Sequence, residues 1–160
     1  MYTTSNNLSA VKEQKFSRIL VPVDGSEESM HAADYAIEIA RKYTAELIAL
    51  NVILSYVTIF GPTVPRHIGE LKQEAQKYLD KVREKTDQNM TNNNDKKIPL
   101  RTELIGSASA VGGIVGFAEK DNVDLIIIGT RGKTGFTKLL LGSVALGVVT
   151  YAHCPVMVVK

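Results

Sequence analysis

Residues 124–132 read Asp-Leu-Ile-Ile-Ile-Gly-Thr-Arg-Gly, "DLIIIGTRG". A short unbroken apolar run, three of its four residues isoleucine, closed by glycine, has the pattern of a strand covered on both faces. The loop that follows runs to Gly142-Ser143 and opens the apolar stretch "GSVALGVVTYAH", a helix, before a last strand "PVMVVK" ends the chain. The loop contains Gly132-Lys133-Thr134, but it is not a P-loop. That motif needs Gly-x4-Gly-Lys-Ser/Thr, and the position that should hold its first glycine is Ile127. What remains is a set of glycines at 129, 132, 135 and 142, with Ser143 beside the last.

Outward from this loop, strand and helix patterns alternate. "RILVPVD" (18–24) is a first buried strand, and "GSEESMHAADYAIEIARKYTA" is a helix with Met30, Ala33, Ile37, Ala40 and Thr44 on one face. Ser26 is its expected N-cap, and Glu27 and Glu28 suit the positive helix start. "ELIALNVI" is the second strand. Residues 55–66, with Gly61, Pro62 and Pro65, read as a loop. Ile68, Leu71, Ala75, Tyr78, Leu79 and Val82 then mark the inner face of a long helix whose Lys/Glu-rich opposite side, over residues 70–85, is solvated. After the Asn-rich surface connection "DQNMTNNNDKK" come a third strand, "IPLRTELI", and a helix "SASAVGGIVGFAEKDN" with Val111, Ile114, Val115 and Ala118 inward. Residues 1–16 read as a flexible arm, and 17–160 as one domain.

Continuous apolar strands alternating with amphipathic helices predict a doubly wound α/β fold: a five-stranded parallel sheet with helices on both faces. With the strand order 3-2-1-4-5, the first and fourth strands are neighbours, and the winding reverses between them. Ligands of such sheets bind at the carboxyl ends of the strands at that switch point. Asp24 ends the first strand there, and Gly129 ends the fourth.

The 160-residue chain is 44% hydrophobic, with no Trp, four Phe and six Tyr, so aliphatic side chains must fill the core. A formal charge of +2 without a dense Lys/Arg stripe argues against nucleic acid as a partner. A single cysteine, Cys154, excludes an internal disulfide and fits a reducing cytoplasm. No leader pattern is recognised, and the longest nearly apolar run, Leu139 to Val149, is about half a membrane span. His153-Cys154 lacks metal-ligand spacing, so no metal site is expected, and Cys154 reads as a small buried hydrophobe. His31 and His67 read as solvated. No histidine is brought to the loop, so no hydrolytic triad is expected.

At the switch point the loop fits an anion. Gly129 lets a ring or sugar approach the strand tip, Gly132 brings amides close to phosphate oxygens, and Gly142-Ser143 opens a helix whose unpaired amides face an anion. Arg131, Lys133 and Lys138 add positive charge, the last two on a nine-residue flap between Gly132 and Gly142. The plainer alternative is an ordinary glycine-containing loop before an N-capped helix. Asp24 likewise either accepts from a ribose hydroxyl or an adenine amine, or caps the turn before Ser26.

The spacing Gly129-x2-Gly132-x9-Gly142-Ser143 matches the nucleotide motif of the universal stress protein family, ATP-binding branch. "ILVPVDGSEES", "NVDLIIIGTRG" and "HCPVMVVK" resemble that family's first, fourth and closing strands, so the likeness spans roughly residues 17–160. The resemblance implies the same five-stranded fold and an ATP site, with or without Mg2+. Pro22, Val23 and Asp24 would face the adenosine, and the Val52 backbone would read the adenine edge. Gly129, Thr130 and Arg131 would line the ribose and phosphate path. Gly132, Gly142, Ser143 and the Val144 amide would hold phosphates. It also implies a homodimer paired through the C-terminal strand, whose uncovered apolar edge is an aggregation hazard by itself. The expected function is nucleotide-dependent stress regulation by binding, with no catalytic residue assigned and at most weak ATPase activity. The alternatives are a slow ATP hydrolase or phosphotransferase, or a binder of AMP or a cyclic nucleotide. One departure is the third helix, where the family's Gly-x-Pro start is missing and extra glycines stand.

Overall fold

The structure, a computed structural model, describes residues 16–58, 61–63, 68–88, 97–132 and 141–160. Five strands form one parallel sheet: β1 (Arg18–Pro22), β2 (Glu46–Leu54), β5 (Leu100–Ser107), β6 (Leu125–Gly129) and β7 (Val156–Val159). Their order is β5-β2-β1-β6-β7, which is 3-2-1-4-5 counted along these five. Four helices cover the faces: α1 (Glu27–Tyr43), α2 (Ile68–Gln88), α3 (Ala110–Lys120) and α4 (Ser143–Tyr151). The expected loop at 55–66 is corrected in part. Tyr56–Thr58 (β3) and Gly61–Thr63 (β4) pair as a short antiparallel hairpin outside the main sheet.

Strand alternation divides the core into two layers. Ile19, Val21, Leu47, Ala49 and Ile127 point to one face and pack with Ala33 and Ile37 of α1 and Leu79 and Val82 of α2. Leu20, Ile48, Leu50, Ile126 and Ile128 point to the other and pack with Ile114 of α3 and Val148 of α4. Each such Leu or Ile contributes about 1.5–3 kcal/mol on burial, and the middles of the central strands, Ile19–Val21 and Leu47–Leu50, are apolar because both their faces are covered. On the expected inner faces, Met30 is half-buried and Leu71 is exposed, while Thr44 forms the C-cap of α1 in the left-handed region at φ 54°. In α3, Ile114 and Ala118 are buried, while Val111 and Val115 are half-buried. Gly113 has a packing reason, since a Cβ there would lie 2.9 Å from Val52 Cγ1.

The helix starts are set locally. Ser26 Oγ accepts from the Ser29 amide at 3.2 Å and caps α1, and Ser109 Oγ caps α3 through the Gly112 amide at 3.0 Å. The outer strand β5 carries charge. Arg101 pairs with Glu46, Glu103 and Asp121, and Arg83 reaches Thr102 Oγ1 at 3.0 Å. The Asp121 bond leads the effects that push the Arg101 guanidinium above its ordinary pKa. Among the described residues, no helix is long and apolar enough to cross a membrane.

Candidate functional site

At the carboxyl ends of β1 and β6 lies a cleft of about 500 Å³. All eleven residues expected at the site from the sequence line it: Pro22, Val23, Asp24, Val52, Gly129, Thr130, Arg131, Gly132, Gly142, Ser143 and Val144. Lys133, Lys138, Gly135 and His67 lie outside the described residues. Leu50, Val52, Ile114, Ile128 and Ala145 give the cleft an apolar wall. Thr130, Arg131 and the start of α4 give it a polar end. An apolar wall with a few convergent polar groups is the ordinary composition of a small-molecule site.

The polar end has donors to spare. Thr130 spends its backbone on the scaffold. Its N–H donates to the Val159 carbonyl at 2.8 Å, and its carbonyl accepts from the Gly142 N–H at 2.7 Å. Its hydroxyl, on a residue only 8% exposed, is buried and has no partner among the described residues. The buried Arg131 Nε also has none. The Gly142 amide, expected to be open, is therefore occupied. The open ones come next: Gly142 is the N-cap of α4 and supplies no side-chain cap. The first helix hydrogen bond runs from Leu146 N–H to the Gly142 carbonyl at 2.9 Å. The amides of Ser143, Val144 and Ala145 thus lie before the helical ladder, at the positive end of the helix.

Asp24 does what its capping alternative expected. Oδ1 accepts from the Ser26 N–H at 3.0 Å and from the Ser26 hydroxyl at 2.5 Å. Oδ2 turns toward the loop, where a Cβ on residue 132 would stand 2.5 Å from it. Gly132 therefore makes room for the Asp24 carboxylate. The reason for Gly129 also differs from the expectation. A Cβ there would lie 2.7 Å from the Glu28 carbonyl carbon and oxygen, so glycine lets β6 pack against the first turn of α1.

Two polar lining residues were not anticipated: Ser29 and Asn51. Ser29 Oγ donates to the Ser26 carbonyl at 2.9 Å and accepts from the Asp24 N–H at 3.3 Å. Asn51 is buried and donates from Nδ2 to the Val23 carbonyl at 2.7 Å. A single polar residue inside the apolar run "ELIALNVI" was the available signal. Beside it, Val52 has an unusual backbone. In a parallel ladder, alternate residues present N–H and C=O to the same neighbour. Leu50 faces β1, since its carbonyl accepts from Val23 N–H at 2.8 Å. Val52 faces the same way, but β1 ends at Pro22, paired with Leu50. Beyond that rung the Val52 N–H and C=O have no backbone partner among the described residues.

These features define a class: a doubly wound α/β domain with a cleft at its switch point, apolar on one side and carrying unpaired donors on the other. A model of the universal stress protein family matches residues 15–160. Over 162 aligned residues the chain is 38% identical to universal stress protein MJ0531 of Methanocaldococcus jannaschii, covering 99% of this chain and 91% of that one. Among solved structures, UspA from Lactobacillus plantarum superposes with a TM-score of 0.75 at 28% identity, covering 92% of this chain and 99% of that one. A universal stress protein solved in complex with cAMP shares the fold with a TM-score of 0.68 at 21% identity, covering 92% and 98% of the two chains. The chain belongs to the universal stress protein family.

Proposed function

We propose that this protein binds an adenine nucleotide, ATP in the first instance, in the cleft between β1 and β6, and serves as a nucleotide-dependent regulatory module. The observation that carries the proposal is the pairing of two recognition ends in one cleft. At one end, Val52 offers an N–H donor and a C=O acceptor side by side. Adenine presents the complementary edge, with N1 accepting and the 6-amine donating. Guanine presents the reverse, so a site built this way leaves buried groups unpaired against it. At the other end, the Ser143–Ala145 amides, the Thr130 hydroxyl and Arg131 are directed to phosphate.

Binding is favoured over turnover. Phosphoryl transfer needs a group that positions the attacking oxygen. Asp24 is the carboxylate in the described lining, and its Oδ1 is held by Ser26. Mg2+ fits as an ion carried by the nucleotide phosphates, since it keeps its waters and takes only one or two carboxylates from a protein. The proposal includes a homodimer closed through β7, and the cytoplasm as the compartment where ATP and a reduced Cys154 coexist. A second reading, AMP or a cyclic nucleotide, is supported by the relative solved with cAMP.

Calorimetric titration with ATP, AMP and cAMP orders these ligands. Asp24→Ala tests binding against turnover. The expected result is weaker ATP binding, with any phosphate release falling only in proportion to lost occupancy. Phosphate release that collapses at saturating ATP while binding persists would make Asp24 catalytic.

A further inference from the structure

We infer that Asn51 is a positioning residue that keeps the Val52 N–H available to a ligand. The inference starts from where β1 stops. Val23 still donates to the Leu50 carbonyl at 2.8 Å, so its own carbonyl is turned toward β2. The next rung of the parallel ladder would be Val52 N–H to that carbonyl. It is not formed. β1 closes at the Pro22–Leu50 pair, and the Val23 carbonyl accepts instead from Asn51 Nδ2 at 2.7 Å.

The side chain thus substitutes for a rung. A carbonyl can only accept, which fixes the amide of Asn51 with Nδ2 toward Val23. Asn51 is 8% exposed, so its amide is held by the surrounding packing rather than sampling solvent. The substitution has two effects. It satisfies the Val23 carbonyl, which would otherwise be an unpaired acceptor at the strand tip. It also occupies the backbone acceptor that the next rung of the ladder would offer to Val52 N–H. An apolar side chain of the same size at 51 leaves the Val23 carbonyl without its partner, and the donor next in the register of the ladder is then Val52 N–H. β1 would zip one rung further, and the donor would be lost to the cleft.

The inference rests on the nucleotide reading only for its consequence, not for its geometry. The test therefore has a ligand-free arm. Amide hydrogen exchange, read by NMR on the protein without nucleotide, should show Val52 unprotected while Leu50, inside the ladder, is protected. In the shape-matched variant Asn51→Leu, Val52 should gain protection. ATP affinity should then fall about tenfold, the worth of one backbone hydrogen bond. Asn51→His, which keeps a ring N–H donor, should restore both the exposed Val52 amide and the affinity. Inorganic tripolyphosphate, which has no base to read, should bind the wild type and Asn51→Leu equally. A Val52 amide already protected in the ligand-free wild type overturns the inference, whether or not the variant folds. So does Asn51→Leu with unchanged exchange at Val52 and unchanged ATP affinity. A wild type that binds no adenine nucleotide overturns the nucleotide reading instead, and the exchange arm still decides the role of Asn51.

Discussion

Thr130 joins three elements through its backbone and keeps a hydroxyl in reserve. Its N–H and C=O tie β7 and the start of α4 to the tip of β6, while Oγ1 is buried without a partner among the described residues. A buried unpaired hydroxyl costs about 1–3 kcal/mol. Such a cost persists where the group has work to do with a ligand. Thr130→Val keeps the shape and removes the unpaired group. Chemical denaturation should show the variant as stable as the wild type or more stable by about 1 kcal/mol, while calorimetry shows ATP binding weakened by about 3- to 10-fold. A variant that loses stability and keeps its affinity would mean that the hydroxyl serves the fold.

Gly129 carries a different load. A Cβ there would stand 2.7 Å from the Glu28 carbonyl, and a neighbour that is backbone rather than side chain has little freedom to yield. Gly129→Ala should therefore destabilise the fold by about 1–3 kcal/mol, the usual range for overpacking, measured by urea denaturation without nucleotide. Loss of nucleotide affinity at unchanged stability would return this glycine to the role expected from sequence, the approach of a ring or sugar.

At the scale of elements, β7 is the one to test. It ends the sheet, paired with β6 alone. The Pro155 and Val159 carbonyls accept from Ile126 and Thr130, so odd-numbered residues face β6. Val156 and Val158 therefore present their backbone groups outward. Val158→Pro removes an outward donor and leaves the ladder to β6 intact. Beside this edge stands α4, which has no charged residue and exposes Leu146, Val149 and Tyr151. Light scattering at micromolar concentration should give a dimer for the wild type, and monomer or aggregate for Val158→Pro. A monomeric wild type, or a variant that remains a stable dimer, would place the interface elsewhere. The opposite edge, β5, is dressed with the ion pairs of Arg101 and is the poorer candidate for pairing.

For the whole molecule, strand order and helix placement were legible because hydrophobic periodicity reports which side of each element is covered. The "DLIIIG" run and "ELIALNVI" are short, continuous and rich in Ile and Val, the pattern of strands buried on both faces. The cleft lining was legible through glycine spacing at the switch point. The β3–β4 hairpin was not, because its strands are three residues each and Gly61-Pro62 reads as a breaker. Nor were the reasons for Gly129 and Gly132, since both depend on which backbone or carboxylate lies opposite in space. Asn51 left a trace, one polar residue in an apolar strand, but its partner Val23 is 28 residues away. Only the point where β1 stops gives that contact a meaning.

The central claim is that an adenine nucleotide sits in this cleft with its base on Val52 and its phosphates at the start of α4. Amide chemical shifts of the isotope-labelled protein, followed by NMR during titration with ATP, test it most directly. The account predicts saturable shifts concentrated at Val52, Thr130, Arg131 and the Ser143–Ala145 amides, with GTP producing markedly weaker changes at Val52. Absence of shifts at about 1 mM ATP, a concentration that detects binding free energies near −4 kcal/mol, would contradict it. So would shifts confined to residues remote from the cleft, such as those of α2 or the outer edge of β5.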